Sequence, residues 1–170
     1  MTCISWRTTI MQVFDASSII YAWDNYPQQQ FPGLWDWIEN QIQENKLAMP
    51  IVAFEEVEHK TPDCAEWLKD NNIKLLEISS LIVNDANRIK KLLGIEEDNY
   101  HAKGVGENDL FIIATARAHK AELISDEERQ ALPPQIPAKR KIPSVCSMPE
   151  VSVPCIKFIE LIKKSNKTFR

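Results

Sequence analysis

Strand-length apolar runs that stop at a carboxylate are the feature that most constrains the fold of this sequence. Residues 12–14 lead directly into Asp15, and residues 122–125 lead into Asp126 and Glu127. A charged group at the end of a buried run is costly unless it finds water, a cation or a hydrogen-bond donor. The pattern therefore indicates that these carboxylates lie at an edge of the domain where such partners are available.

Two further acids follow the same pattern. Glu56 lies in a short helix predicted over residues 53–59, close behind the apolar segment 47–52. Asp109 opens a helix predicted over residues 109–120, for which Asn108 is a suitable N-cap residue. We therefore expect four acidic positions to serve one site, although they are far apart in the sequence.

Alternating strand and helix patterns predict how these positions meet. The predicted strands cover residues 12–14, 47–52, 73–78 and 122–125, with a short extended segment at 142–146. Between them lie predicted helices at 17–23, 34–42, 53–59, 63–70 and 82–93, and a last helix starts near Pro154. Such alternation predicts an α/β fold with a parallel sheet covered on both faces, in which Pro50 takes an edge or terminal position. In these sheets the ligand site lies outside the carboxyl ends of the strands, where the strand order reverses.

Length and composition are those of one ordinary domain. The chain has 170 residues, with 44% hydrophobic and 26% charged residues and a net charge of −4. We predict a single domain over residues 11–165, preceded by an N-terminal extension at residues 1–10. No secretion signal or membrane-spanning stretch is apparent, and the four cysteines lack CxxC spacing, so reduced thiols and a cytoplasmic location are expected.

The residue types indicate a site for hard divalent cations. Mg2+ and Mn2+ prefer carboxylate oxygens and water, and paired ions of this kind catalyse phosphodiester hydrolysis. Ser17, two residues after Asp15, is placed to orient a water or a phosphate oxygen. Each acid alone also has a structural interpretation as a helix cap, a first-turn carboxylate, a solvated helix residue or a turn residue. The functional interpretation depends on all of them together.

Several stretches of the sequence resemble a known family. The segment from Val13 to Ile20 resembles the opening strand of PIN-domain ribonucleases. The segment from Asp109 to Ala116 resembles the helix that carries the third acid of that family. The segment from Leu123 to Glu127 resembles the region of its fourth acid. The stretches 26–37 and 141–146 are similar to a poorly characterised bacterial branch related to VapC toxins. The resemblance runs from about Met11 to the last helix.

The resemblance implies a PIN-like three-layer domain and a metal-dependent endoribonuclease that uses Mg2+ or Mn2+. The first three acids of the family correspond to Asp15, Glu56 and Asp109, which would be both catalytic residues and metal ligands. By spacing the fourth acid is Glu127, whereas by residue type it is Asp126, and both remain candidate ligands. The implied partners are an RNA substrate, a small antitoxin protein of a type II toxin–antitoxin pair and a second copy in a homodimer.

Other functions are also compatible with the residues. A PIN-like nuclease that is not a toxin could process RNA or act on DNA. A metal-dependent phosphatase could use Asp15 as its nucleophile, although such enzymes usually have a second aspartate at the position that Ser17 occupies here. A binding module without catalysis and a response-regulator receiver fit less well. The basic stretch 139–141 is interpreted as a contact to the RNA backbone.

Overall fold

Five short parallel strands form the centre of the computed structural model, which describes residues 10–170. They are β1 (Gln12–Phe14), β2 (Leu47–Pro50), β3 (Lys74–Leu76), β4 (Glu122–Ile124) and β5 (Cys155–Ile156). Their order across the sheet is β3-β2-β1-β4-β5, with all neighbours parallel. The chain first builds outward from β1 to β3 and then returns to the other side of β1. The strand order therefore reverses between β1 and β4.

Helices connect the strands and cover the sheet. They are α1 (Ala16–Asn25), α2 (Pro32–Gln43), α3 (Ile51–Lys60), α4 (Pro62–Asp70), α5 (Ser80–Leu92), α6 (Glu107–Ala118), α7 (Ile142–Cys146) and α8 (Phe158–Ser165), with a 3-10 turn at Pro137–Lys139. The predicted α/β fold with a central parallel sheet and helices on both faces is confirmed.

The central strands are buried on both faces, which explains why apolar residues predominate in them. Val13 of β1 pairs with Ala48 of β2 on one side and with Leu123 of β4 on the other, and none of the three is exposed. Strands covered on both sides need apolar residues at every position rather than at alternate ones. Both carboxylates of these strands lie at strand ends: Glu122 opens β4 and pairs with Lys164 at 3.0 Å, and Asp15 directly follows β1.

The start of the helix that carries Asp109 differs from its prediction, whereas Pro50 takes the terminal position predicted for it. The helix that carries Asp109 begins at Glu107 with Gly106 as its N-cap, so Asn108 lies inside the first turn and the predicted cap was wrong. Pro50 is the last residue of β2, as predicted for a terminal position, but β2 lies between β1 and β3 and is not an edge strand. The missing N–H of Pro50 is tolerated because the strand ends there.

The end of the chain differs more. Residues 142–146 form the helix α7 rather than an extended segment, since Pro143 lies in the first turn, where a missing N–H costs nothing. The last strand is instead β5, and the carbonyl of Pro154 accepts a hydrogen bond from the N–H of Leu123 at 2.8 Å. The last helix therefore begins at Phe158, later than predicted.

Within residues 10–170, no helix combines the length and the apolar character needed to cross a membrane. The predicted extension at residues 1–10 lies outside the described residues except for Ile10, and the domain boundary at residue 11 stays a prediction.

Candidate active site

Asp15 lies at the point where the strand order reverses. It follows β1 directly, is 3% exposed, and its N–H donates to the carbonyl of Ile124 at 2.9 Å. Its Oδ2 accepts hydrogen bonds from Ser17 Oγ at 2.6 Å and Ser125 Oγ at 2.9 Å. Burial raises the pKa of Asp15 to about 6; Asp109 and Glu56 add to the rise, and the two serines oppose it. A buried carboxylate with two fixed donors is therefore held next to other negative charges.

Asp109 enters the same region from the first turn of α6. Its Oδ2 accepts the backbone N–H of Gly106 at 2.8 Å, which satisfies one of the free amides at the start of the helix. Burial raises the pKa of Asp109 to about 6, with further increases from Glu127 and Glu56, whereas Gly106 and Lys60 lower it. Asp109 is thus both a first-turn carboxylate of α6 and a member of the candidate site.

Glu127, not its neighbour, completes the acidic cluster. The backbone N–H of Ile142 donates to its Oε2 at 3.0 Å. Burial raises the pKa of Glu127, and the charges of Asp15 and Glu56 raise it further. We define the acid cluster as Asp15, Glu56, Asp109 and Glu127.

Asp126 faces a different part of the molecule. Its Oδ2 accepts the backbone N–H of Phe158 at 3.2 Å, at the start of α8. Burial raises its pKa, and the charged groups that affect this pKa are Lys157, which lowers it, and Glu160, which raises it. Asp126 and Glu127 thus point to opposite sides, as expected for successive residues of an extended segment. The role of Asp126 as a catalytic residue or a ligand stays a prediction.

Glu56 reaches the cluster from α3, which begins directly after β2. Its charge raises the pKa of Asp15, Asp109 and Glu127, so it lies within electrostatic range of all three. Its Oε1 accepts a hydrogen bond from Lys60 Nζ at 2.5 Å, one helical turn further along α3. Glu56 is therefore the member of the cluster that is paired with a positive charge.

Ser17 holds the site together rather than facing it freely. Its Oγ donates to Asp15 and accepts the backbone N–H of Asp126 at 3.0 Å. It thus links the end of β1 to the end of β4. The predicted role of orienting a water or a phosphate oxygen remains a prediction, and the observed role is to orient Asp15.

Two loops that border the site are pressed against each other. The N–H of Val105 donates to the carbonyl of Arg140 at 3.0 Å. A Cβ atom on Gly104 would lie only 1.8 Å from the carbonyl oxygen of Ala138. The first loop leads into α6 and Asp109, and the second leads into α7 and the amide that holds Glu127. Only a glycine permits this approach.

The chemistry of the cluster fits a hard divalent cation, since all four members offer carboxylate oxygens. In the part of the chain that the structure describes, however, no three His, Cys, Asp or Glu side chains are arranged so that they could hold an ion as they stand. Each carboxylate instead has its own donor within the protein: Ser17 and Ser125, Gly106, Ile142 or Lys60. Binding an ion would require side-chain adjustment, most directly at Glu56, whose partner is a flexible lysine.

Several of these donors were not found from the sequence. Gly106 and Ile142 act through backbone amides, which leave no mark in the residue types. Ser125 was noted only as part of a pattern, although it lies 2.9 Å from Asp15. Lys60 could have been found, because an acid and a lysine four residues apart on a helix are neighbours.

The parallel five-stranded sheet and the acid cluster at its carboxyl edge define a PIN-like α/β domain. The resemblance noted in the sequence is thereby confirmed at the level of the fold. The chain belongs to the family described as a domain of unknown function (DUF4411), whose model matches residues 12–169. No curated protein matches the sequence.

Solved structures of low sequence identity share the fold. VapBC2 from Rickettsia felis bound to a promoter DNA fragment matches with a TM-score of 0.55 and 14% identity, covering 87% of this chain and 98% of that one. DNA-bound VapBC from Salmonella typhimurium matches with a TM-score of 0.56 and 11% identity, covering 88% and 98%. PAE2754 from Pyrobaculum aerophilum matches with a TM-score of 0.52 and 14% identity, covering 92% and 89%.

Proposed function

We propose that this protein is a metal-dependent endoribonuclease and the toxin of a type II toxin–antitoxin pair. The observation that carries the proposal is the convergence of Asp15, Glu56, Asp109 and Glu127 at the reversal point of the sheet. Buried acids with raised pKa values, here Asp15, Asp109 and Glu127, are typical of sites that bind a cation or transfer a proton. The likeness in fold to chains of VapBC complexes supports the same class of protein.

Mg2+ or Mn2+ would be held by these four carboxylates. A bound divalent cation activates water for attack on a phosphodiester and offsets the negative charge of the phosphate. The protein keeps its ligands in place: Ser17 and Ser125 orient Asp15, and the amides of Gly106 and Ile142 orient Asp109 and Glu127. Ligands held in this way lose little conformational freedom when they bind.

The substrate would lie along the basic stretch 139–141. Gln130 fixes this stretch beside the site, since its side chain accepts from the N–H of Lys141 at 2.9 Å and donates to the carbonyl of Lys139 at 3.1 Å. Lys141 also pairs with Glu128 at 3.1 Å. Cationic side chains next to an acidic centre would hold the RNA backbone without selecting a base sequence.

A small antitoxin protein would neutralise the enzyme. An arginine of the partner can bind a carboxylate through two hydrogen bonds and would compete with metal for the same oxygens. The partner should therefore bind best when metal is scarce, and charge reversal of that arginine should restore activity. We further propose that two copies form a homodimer.

Cleavage of defined RNAs tests the enzymatic function. Purified protein with Mg2+ or Mn2+ should cut single-stranded RNA internally, and chelation should stop it. A matched DNA substrate and a phosphomonoester serve as controls for the two alternative functions. Cleavage of DNA alone, or release of phosphate alone, would contradict the proposal.

Co-expression with the product of the neighbouring gene tests the toxin function separately. The protein alone should arrest growth, and co-expression should restore growth and yield a complex that co-purifies. If arrest persists and the two proteins never co-purify, the toxin–antitoxin assignment is wrong, although the nuclease assignment would stand.

A further inference from the structure

One positive charge is built into the acid cluster. Lys60, the last residue of α3, places Nζ 2.5 Å from Glu56 Oε1. Its ammonium group also lies within electrostatic range of Asp15 and Asp109, since the charges of both carboxylates raise the pKa of Lys60. Lys60 thus lies near three of the four acids of the cluster rather than near one glutamate alone.

The contact to Lys60 differs in kind from the other contacts of the cluster. Asp15, Asp109 and Glu127 are fixed by hydroxyl or amide donors that lie at the starts of helices. Glu56 is held by a long side chain that is 58% exposed. An exposed ion pair contributes little to stability, so it can open at small cost.

An ammonium ion and a divalent cation cannot share the same carboxylate oxygen without strong repulsion at such a distance. A metal that takes Oε1 of Glu56 must therefore displace Lys60 into solvent, which the 58% exposure of the lysine permits. We propose that Lys60 is an exchangeable counter-ion that occupies the acid cluster and sets the concentration of divalent cation at which the site fills. This inference depends on the metal site of the proposed function but not on RNA as the substrate.

The chain offers a closely matched control. Lys69 also forms an ion pair with a glutamate of α3, Glu58, and is 59% exposed. Its partner lies outside the acid cluster. Lys60→Met and Lys69→Met therefore remove the same charge, of nearly equal exposure, from inside and outside the site; Lys69 differs in that its ammonium group also lies 5.4 Å from the centre of the Phe54 ring.

Binding of Mn2+ to the purified full-length protein, followed by the electron paramagnetic resonance signal of the free ion, tests the proposal. Lys60→Met should bind Mn2+ about threefold to tenfold more tightly than wild type, the range expected from release of one exposed ion pair. Lys60→Arg, which keeps the charge, and Lys69→Met should stay within about twofold of wild type. Equal or weaker binding by Lys60→Met, or an equal gain in Lys69→Met, would overturn the proposal.

A double-mutant cycle separates the effect of the Lys60–Glu56 ion pair from the general effect of the positive charge of Lys60 on Mn2+ affinity. In a Glu56→Gln background the ion pair no longer exists, so adding Lys60→Met should change Mn2+ affinity by less than about twofold. A full gain in that background would overturn the exchange at Glu56, as would absence of Mn2+ binding in every variant. The readout is independent of RNA cleavage: tighter binding by Lys60→Met in a protein that cuts no RNA would keep this inference and reject the nuclease. Normal RNA cleavage together with an unchanged Mn2+ affinity in Lys60→Met would reject this inference and keep the nuclease.

Discussion

The backbone N–H of Ile142 donates a 3.0 Å hydrogen bond to the carboxylate of Glu127, and this contact joins the end of β4 to the first turn of α7. The preceding residue, Asp126, makes the equivalent contact to Phe158 at the start of α8. Two adjacent acids therefore secure two different helices. Of the two, Glu127 also lies within electrostatic range of Asp15 and Glu56.

This division predicts unequal effects of substitution. Glu127→Gln should lower the cleavage rate by orders of magnitude, because it removes one negative ligand from the acid cluster. Asp126→Asn should keep most of the activity and destabilise the protein by about 1 kcal/mol, the usual value for a weakened helix cap. Single-turnover RNA cleavage and chemical unfolding of both variants measure the two effects. Equal small losses of activity would mean that the first three acids suffice.

Asp15→Asn should abolish cleavage while leaving the fold intact. The substitution keeps the size of the side chain and its place beside Ser17 and Ser125 but removes the charge that would bind the cation. Asp70→Asn, a change of the same type at an exposed position, is the control and should cleave like wild type. Chelation of wild type should reproduce the effect of Asp15→Asn. A purified Asp15→Asn protein that cuts at the normal rate would contradict the assignment.

The stability of the metal-free protein should fall as the pH rises from about 4 to 6. The pKa of Asp15 is raised from 3.8 to about 6, so the folded state binds more protons than the unfolded state in this interval. Above pH 6 the unfavourable charge is fully present, and Asp15→Asn should then be more stable than wild type by about 1 to 3 kcal/mol. Urea unfolding in chelator at pH 4 and pH 7 measures this. A pH-independent difference between the two proteins would contradict it.

Ser125→Ala should shift metal binding to higher pH. Loss of a donor to Asp15 removes a contact that lowers the pKa of that carboxyl, so more of it is protonated near pH 6. Mn2+ should bind about threefold to tenfold more weakly at pH 6 and almost normally at pH 8. Ser147→Ala removes a hydroxyl that donates to the carbonyl of Ser144 instead, and it should bind like wild type at both values. A loss of equal size at both pH values would point to a general structural defect.

The sequence was informative where burial leaves a direct mark on residue type. The strand that contains Val13 and Phe14 and ends before Asp15 was predicted correctly, because a strand buried on both faces leaves a charge little room except at its end. The choice between Asp126 and Glu127 could not be made, since it depends on which way the chain turns after β4. The helical form of residues 142–146 was missed because five residues carry too little periodicity, and a proline suits both a helix start and an extended segment.

The contact between Gly104 and Ala138 couples the loop before Asp109 to the loop before α7. The two loops touch through their backbones, so the position of the loop before Asp109 depends on that of the loop before α7, whose first amide holds Glu127. This contact should also constrain how the lengths of the two loops change in evolution. Among relatives of this chain, insertions or deletions in the segment before Asp109 should be accompanied by changes of length in the segment before α7, and a bulkier residue at position 104 should occur only where that second segment has been rebuilt.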